Sequence, residues 1–184
     1  MEQIREERIL NIPNALTLVR MALLPAVVWR FRIGDSTGAL LAYLMAMATD
    51  AVDGFIARRF NQVTALGKLL DPIADKLSLI TLLWLFAADG QIPWGVLAVM
   101  LVKELAMVIG AGVALKNGIV VYAHPIGKVT TVAFVASIVL RFLGLQAAAD
   151  PLLACSVVLS LAAFVWYSRD LQRKLKLHRT EVTG

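Results

Sequence analysis

The sequence lacks several features that organise secreted or soluble domains. It contains one cysteine, Cys155, among 184 residues, so an intrachain disulfide is excluded. No internal repeat or low-complexity segment is visible. The first ten residues, MEQIREERIL, mix acidic and basic side chains and lack a small-residue cleavage pattern, so we expect no cleavable signal peptide. Apolar runs leave only tails and short loops, with no room for a second, soluble domain.

Apolar residues dominate the chain and occur in long runs. They make up 59% of the residues, and the mean hydropathy is +0.76. Soluble domains are closer to half apolar, whereas runs of about 20 apolar residues match a helix that crosses a bilayer. We therefore predict an all-α integral membrane protein with six transmembrane helices, at about residues 14–31, 38–57, 68–88, 92–115, 129–145 and 152–166.

The distribution of Lys and Arg predicts the orientation of these helices. If the N-terminus is cytoplasmic, fourteen of the 18 Lys and Arg residues fall on the inner side, which is the usual bias of membrane proteins. We predict one multi-pass domain, 1–184, in the cell membrane with both termini cytoplasmic. It begins with a juxtamembrane segment, 1–13, and ends in a basic cytoplasmic tail, 169–184. Inner loops near membrane lipid account for the net charge of +5, so we predict no nucleic-acid partner.

Four aspartates lie in or beside two of the apolar runs. Asp50 and Asp53 are three residues apart, and Asp71 and Asp75 are four apart, so each pair shares one face of a helix. A charged residue at the middle of a bilayer costs roughly 2.5–3.5 kcal/mol on insertion scales. Because hard divalent cations prefer carboxylate oxygens, we predict that one or two such ions neutralise the cluster.

Small residues accompany these aspartates. Gly54 and Ala57 follow Asp53, and Gly67 opens the third run. Small side chains let a ligand approach the backbone, although they also let membrane helices pack closely. Taken one at a time, these residues favour packing, and only their joint order and spacing favour a ligand site.

The joint spacing reads D-x2-D-G-x2-A-R-x8-G-x3-D-x3-D, formed by Asp50, Asp53, Gly54, Ala57, Arg58, Gly67, Asp71 and Asp75. This pattern resembles the motif of the CDP-alcohol phosphotransferase family at every defined position. The family comprises integral membrane enzymes of phospholipid synthesis, commonly homodimeric. The resemblance implies six spans, a polar active-site cavity open to the cytoplasmic side, and a metal-dependent transfer from CDP-diacylglycerol to a small polyol.

The resemblance also implies a role for each motif residue. Two Mg²⁺ or Mn²⁺ ions are held by Asp50, Asp53, Asp71 and Asp75. Asp75 is in addition the general base that deprotonates the acceptor hydroxyl. The CDP moiety is bound by Gly54, Ala57, Arg58 and Gly67. Asn14, Thr17 and Arg20 are candidates to reach the nucleotide from the first span, although a cap of that helix by Asn14 or Thr17 and an inner-face arginine explain them almost as well. The alternative is a cluster that serves ion transport or helix pairing, although a transporter needs no nucleotide pocket.

The acceptor alcohol is indicated less directly. The opening N-I-P-N-x2-T-x2-R, residues 11–20, resembles bacterial phosphatidylglycerophosphate synthases, which implies glycerol 3-phosphate. In that subgroup an Arg-Glu pair and a G-K-x-K-T run are usual. This chain has Lys103-Glu104 and G-K-V-T-T instead. The first change replaces the bidentate fork of an arginine by a lysine, and the second removes one cation. Phosphatidylglycerol, as in a cardiolipin synthase, or another polyol stays an alternative acceptor. Lys103 and Lys128 are the candidates to bind an acceptor phosphate.

Lys103 and Glu104 also allow a structural interpretation. Adjacent residues point about 100° apart on a helix. We therefore expect each to pair with a different neighbouring span rather than with the other.

Overall fold

A computed structural model describes residues 12–59, 64–118 and 126–183. These residues form helices and short connections, without a strand. The helices are α1 (Ile12–Arg32), α2 (Ser36–Arg59), α3 (Ala65–Ala88), α4 (Trp94–Lys116), α5 (Ile126–Phe142) and α6 (Gln146–Thr183). The prediction of an all-helical chain with six helices at these places is confirmed.

Within the described residues, three helices have the length and the apolar character to cross a membrane. They contain the candidate spans Pro13–Arg32, Trp94–Lys116 and Gln146–Lys176, and α5 contributes a shorter apolar segment, Val129–Phe142. This is consistent with a membrane protein. α2 and α3 carry the aspartates and several basic residues, and the crossing of all six helices stays a prediction.

The helices pack as two units whose boundary falls between Leu85 and Phe86 within α3. In the first unit, α1 packs against α2. Contacts between α1 and α3 advance together along both helices, from the pair Thr17–Asp71 to the cation–π pair Arg32–Trp84 at 5.6 Å. α1 and α3 therefore run in the same direction, as the first and third helices of an alternating membrane topology must.

The turn between α1 and α2 follows from three residues. Gly34 adopts a positive φ of 84°, which glycine reaches without strain. Asp35 caps α2 because its Oδ1 accepts the Gly38 backbone N–H at 2.8 Å. That hydrogen bond, together with the Arg30 guanidinium, holds the pKa of the Asp35 carboxyl below its ordinary value.

In the second unit, α5 and α6 form a tight hairpin and α4 packs against α6. Gly144 turns the chain with a φ of 76°. Arg141, with 1% of its side chain exposed, donates from Nη2 to Asp150 Oδ1 at 2.6 Å and from Nη1 to the Gln91 carbonyl at 2.9 Å. The guanidinium thus links the end of α5 and the start of α6 to the connection before α4.

Three details differ from the sequence-based expectation. α1 begins at Ile12, so Asn14 and Thr17 lie inside the helix and do not cap it. α3 begins at Ala65, so Pro72 lies beyond its first turn. The basic tail is helical and continuous with the last apolar run, since α6 extends to Thr183. Leu171 is buried, and an i,i+4 ion pair between Lys174 and Asp170 at 3.0 Å supports this extension.

We predict that Arg141→Met lowers the free energy of unfolding by about 1–3 kcal/mol, because the Gln91 carbonyl before α4 and the Asp150 carboxylate both lose the guanidinium as a partner. Thermal unfolding in detergent measures the effect. The control is Asp150→Asn, which should cost less, because 62% of the Asp150 side chain is exposed and an amide still accepts a hydrogen bond. Equal losses for the two variants would contradict this explanation.

Candidate active site

One face of α1 carries three buried polar residues. Asn14, Thr17 and Arg20 follow at intervals of three, a spacing that keeps side chains on one side of a helix. Their relative exposures are 2%, 1% and 4%. Buried polar groups are stable only when they are hydrogen-bonded, and each of these three has a partner on α2, on α3 or at the start of α3.

Arg20 joins two of the aspartates. Its Nη1 donates to Asp75 Oδ1 at 2.7 Å and also contacts Asp50 Oδ1. Asp50 lies on α2 and Asp75 on α3, so one guanidinium nitrogen brings together carboxylates from two helices. The carboxylates keep contact with their surroundings, since 50% and 66% of their side chains are exposed. The cluster therefore has a buried cationic side and an open anionic side.

Thr17 holds a third aspartate. Its Oγ1 lies 3.0 Å from Asp71 Oδ1 and 3.1 Å from the carbonyl oxygen of Pro13. The hydroxyl has one hydrogen, so it donates to one of these oxygens at a time. Asp71 and Asp75 are one turn apart on α3, and α1 therefore contacts both carboxylates of that face.

The start of α3 packs closely on α1. Thr64 precedes the helix and caps it, because its Oγ1 accepts the Gly67 N–H at 3.0 Å. The same hydroxyl lies 3.1 Å from Asn14 Nδ2 and 3.2 Å from Asn14 Oδ1. A Cβ at residue 67 would lie 2.7 Å from Asn14 Oδ1, which explains why glycine occupies this position.

The structure thus brings together six of the predicted site residues, namely Asn14, Thr17, Asp50, Gly67, Asp71 and Asp75. The side chains of five others lie outside the described part of the chain, namely Asp53, Gly54, Ala57, Arg58 and Lys128. The first four belong to the second half of α2, and Lys128 belongs to the first turn of α5. Their roles stay predictions.

Lys103 lies in the second unit and has partners of its own. Its Nζ is 2.5 Å from Glu104 Oε1 and 2.9 Å from Ser160 Oγ on α6, and 13% of the Lys103 side chain is exposed. The expectation that Lys103 and Glu104 do not pair is wrong. Both side chains are long enough to turn towards each other although their Cα–Cβ bonds diverge.

Sequence analysis missed the contacts of two residues. Arg20 was recognised only as part of the opening motif, although its spacing of three from Thr17 places it on the same face. Thr64 lies between the predicted second and third spans, and a threonine three residues before a helical N–H is a recognisable N-cap. Neither local signal identifies the distant partner, since that depends on how α1 lies beside α3.

The described carboxylates of the cluster have the chemistry of a divalent-cation site. Asp50 and Asp75 already converge on one cationic nitrogen, and their oxygens are the ligand type that Mg²⁺ and Mn²⁺ prefer. Among the described residues, no three His, Cys, Asp or Glu side chains are grouped closely enough to hold an ion. The Asp53 side chain, a predicted ligand, is outside that set. The residues present fit a metal site in chemistry and in the convergence of two carboxylates.

The family model of CDP-alcohol phosphatidyltransferase matches residues 10–166. This match covers α1 to α5 and most of the apolar part of α6, and includes every residue of the aspartate motif. The chain belongs to the CDP-alcohol phosphatidyltransferase family, which confirms the resemblance inferred from the motif. It is therefore a member of a family of enzymes that act in phospholipid synthesis.

Relatives with two different names are similar to this chain. A CMP-forming cardiolipin synthase of Streptomyces coelicolor is 33% identical over 122 residues, which is 63% of this chain and 57% of that protein. The CDP-diacylglycerol–glycerol-3-phosphate 3-phosphatidyltransferase of Bacillus subtilis is 36% identical over 137 residues, 66% of this chain and 70% of that protein. A putative cardiolipin synthase of Mycobacterium tuberculosis is 31% identical over 173 residues, 88% of this chain and 80% of that protein.

We predict that Gly67→Ala destabilises the protein by about 1–3 kcal/mol, the usual cost of overpacking a filled site. Asn14 cannot move aside cheaply, because it is buried and bonded to Thr64. The matched control is Gly112→Ala on α4, where an added Cβ meets nothing within 4 Å and should leave stability unchanged or slightly higher. Apparent Tm values of both variants in detergent decide the matter, and equal values would contradict the close approach.

Proposed function

We propose that the protein transfers a phosphatidyl group from CDP-diacylglycerol to glycerol 3-phosphate and releases CMP. The observation that carries this proposal is the convergence of Asp50 and Asp75, from two motif helices, on one nitrogen of Arg20, with half or more of each aspartate side chain exposed. The name of the Bacillus subtilis relative supports the choice of donor and acceptor.

The aspartate cluster is proposed to hold two Mg²⁺ or Mn²⁺ ions through Asp50, Asp53, Asp71 and Asp75. When bound, such ions neutralise the donor's diphosphate and the charge that develops on the transferring phosphoryl and the departing CMP. Thr17 orients Asp71 by its hydrogen bond, and Arg20 brings Asp50 and Asp75 together before an ion binds.

Asp75 is the proposed general base. A hydroxyl is a poor nucleophile until its proton is removed, and a carboxylate within hydrogen-bond reach can accept that proton. Oδ1 of Asp75 is engaged by Arg20, while 66% of the side chain is exposed, so the carboxylate is open to an acceptor. The acceptor oxygen then bonds to the phosphatidyl phosphorus as the bond from that phosphorus to the CMP oxygen breaks.

The nucleotide is proposed to bind beside the small motif residues. Gly54, Ala57, Arg58 and Gly67 form this part of the pocket, and Asn14 and Thr17 border it from α1. The Asn14–Thr64 contacts support the assignment, because they place α1 directly against the segment that begins at Thr64 and includes Gly67.

The setting of the site is proposed to be a six-span bundle in the cell membrane. Both termini face the cytoplasm, and a polar cavity opens to that side, where CDP-diacylglycerol and a water-soluble acceptor can meet. The parallel run of α1 and α3 supports the alternating topology. We further propose a homodimer, on the resemblance alone.

A second acceptor, phosphatidylglycerol, is supported by specific observations. Thr130 replaces the second lysine of the G-K-x-K-T run, and Lys103 is already matched in charge by Glu104. Both features reduce the positive charge available to an acceptor phosphate, although Lys103 and Lys128 stay the candidates to bind it. Relatives named cardiolipin synthases include those of Streptomyces and Mycobacterium.

An acceptor screen tests the proposal. Purified protein in detergent, with CDP-diacylglycerol and Mg²⁺ or Mn²⁺, should release CMP when glycerol 3-phosphate is added and should form the matching lipid product. EDTA should abolish the release. Product with phosphatidylglycerol alone would replace glycerol 3-phosphate as the acceptor, and no CMP with any polyol would contradict the proposed function.

We predict that Asp75→Asn abolishes turnover, by about a hundredfold or more, because an amide cannot accept the acceptor's proton, a step typically worth 10²–10⁴-fold. Donor binding, measured by equilibrium binding of CDP-diacylglycerol, should largely survive. Asp89→Asn is the control, since Asp89 contacts only the Gln91 side chain in an exposed turn among the described contacts. Near-normal turnover of Asp75→Asn would remove the residue from the role of base.

A further inference from the structure

Arg20 forms ion pairs with two aspartates, but two of its three guanidinium nitrogens have no hydrogen-bond partner among the described residues. Only 4% of its side chain is exposed. Nη1 contacts Asp50 and Asp75, whereas Nε and Nη2 are buried without a hydrogen-bond partner among the described residues. A buried donor left unpaired costs about 1–3 kcal/mol. The guanidinium charge therefore meets the described residues only through Nη1, at the two aspartates.

The position of that charge is informative. Nη1 lies where one oxygen of Asp50 and one oxygen of Asp75 converge. A metal ion bound by both carboxylates would have to compete with Nη1 for these oxygens. A guanidinium is weakly hydrated and always charged, so the buried Arg20 can neutralise the two partly exposed carboxylates without a metal. Two carboxylates drawn together without such a cation would repel each other.

We propose that Arg20 is an internal counter-ion that competes with the divalent cation for Asp50 and Asp75. In the metal-free protein it holds α1, α2 and α3 together by occupying Oδ1 of both residues. A cation that takes these oxygens must displace Nη1, so Arg20 lowers the affinity of the site for metal while it preserves the site's geometry. This inference deepens the proposed function, since it rests on the metal site assigned there.

Two properties follow from the competition. Removal of the charge should make the metal-free protein less stable, because Asp50 and Asp75 lose their shared counter-ion. The same change should make metal bind more tightly, because no resident cation is left to displace. A residue that only packs or only binds substrate would lower stability or affinity without tightening metal binding.

The experiment is a Mn²⁺ titration of the purified full-length protein in detergent, followed by the electron paramagnetic resonance signal of free Mn²⁺. Arg20→Met should bind Mn²⁺ about tenfold or more tightly than the unaltered protein, which corresponds to roughly 1.4 kcal/mol. Its Tm in EDTA should fall, and its Tm should rise more on addition of Mn²⁺. Arg20→Lys keeps a positive charge near Asp50 and Asp75 and should bind Mn²⁺ less tightly than Arg20→Met.

The matched control is Arg30→Met on the same helix. Arg30 pairs with Asp35 at 2.8 Å in an exposed ion pair, and its loss should leave Mn²⁺ affinity unchanged. Unchanged or weaker Mn²⁺ binding by Arg20→Met would overturn the inference and leave the proposed function standing. An absence of Mn²⁺ binding by the unaltered protein would instead overturn the proposed metal site, and the inference with it.

A measurement on the unaltered protein covers the case in which Arg20→Met does not fold. With ¹⁵N-labelled arginine, the Nε–H resonance lost in Arg20→Lys identifies Arg20. Addition of Mg²⁺ should shift that resonance, with half of the full shift at the Mg²⁺ concentration that half-fills the site. A resonance that does not move when Mg²⁺ saturates the protein would overturn the competition.

Discussion

The structure depends on the neutralisation of acidic groups in an apolar chain. Asp50 and Asp75 come from helices whose other residues are mostly hydrophobic, and their charges are met by a single buried guanidinium. Charge in such surroundings has to be paired or coordinated. The pairing determines which faces of α1, α2 and α3 meet. The same interaction therefore offsets the cost of these charges and brings the aspartates of the candidate site together.

The polar face of α1 determines how α1 and α3 align along their lengths. Its residues at intervals of three contact Thr64, directly before α3, and then Asp71 and Asp75 within α3. The two helices therefore run in the same direction. Gly67 permits this approach, since a larger residue would strike Asn14. A glycine that looks like a simple packing residue in the sequence is therefore part of the geometry that aligns the carboxylates.

Much of the architecture is predictable from the sequence because long apolar runs and turn residues are local signals. Gly34 and Asp35 identify a turn that the structure contains, and the aspartate motif identifies the family. The partner of Arg20 is not predictable in this way, because a contact between residues 20, 50 and 75 depends on packing rather than on spacing. The Lys103–Glu104 pair was missed for another reason, since side-chain flexibility outweighs the divergence of adjacent helix positions.

The last helix has a mechanical consequence. α6 is one helix of 38 residues, about 57 Å long at 1.5 Å per residue, whereas the hydrocarbon core of a bilayer is about 30 Å thick. If α6 crosses that core, nearly half of its length stands outside, continuous with the part that packs on α4. Because the helix is continuous, a tilt of its apolar part would displace the basic end more than the contact of Tyr167 and Leu171 with Gly110, which lies nearer the middle of α6.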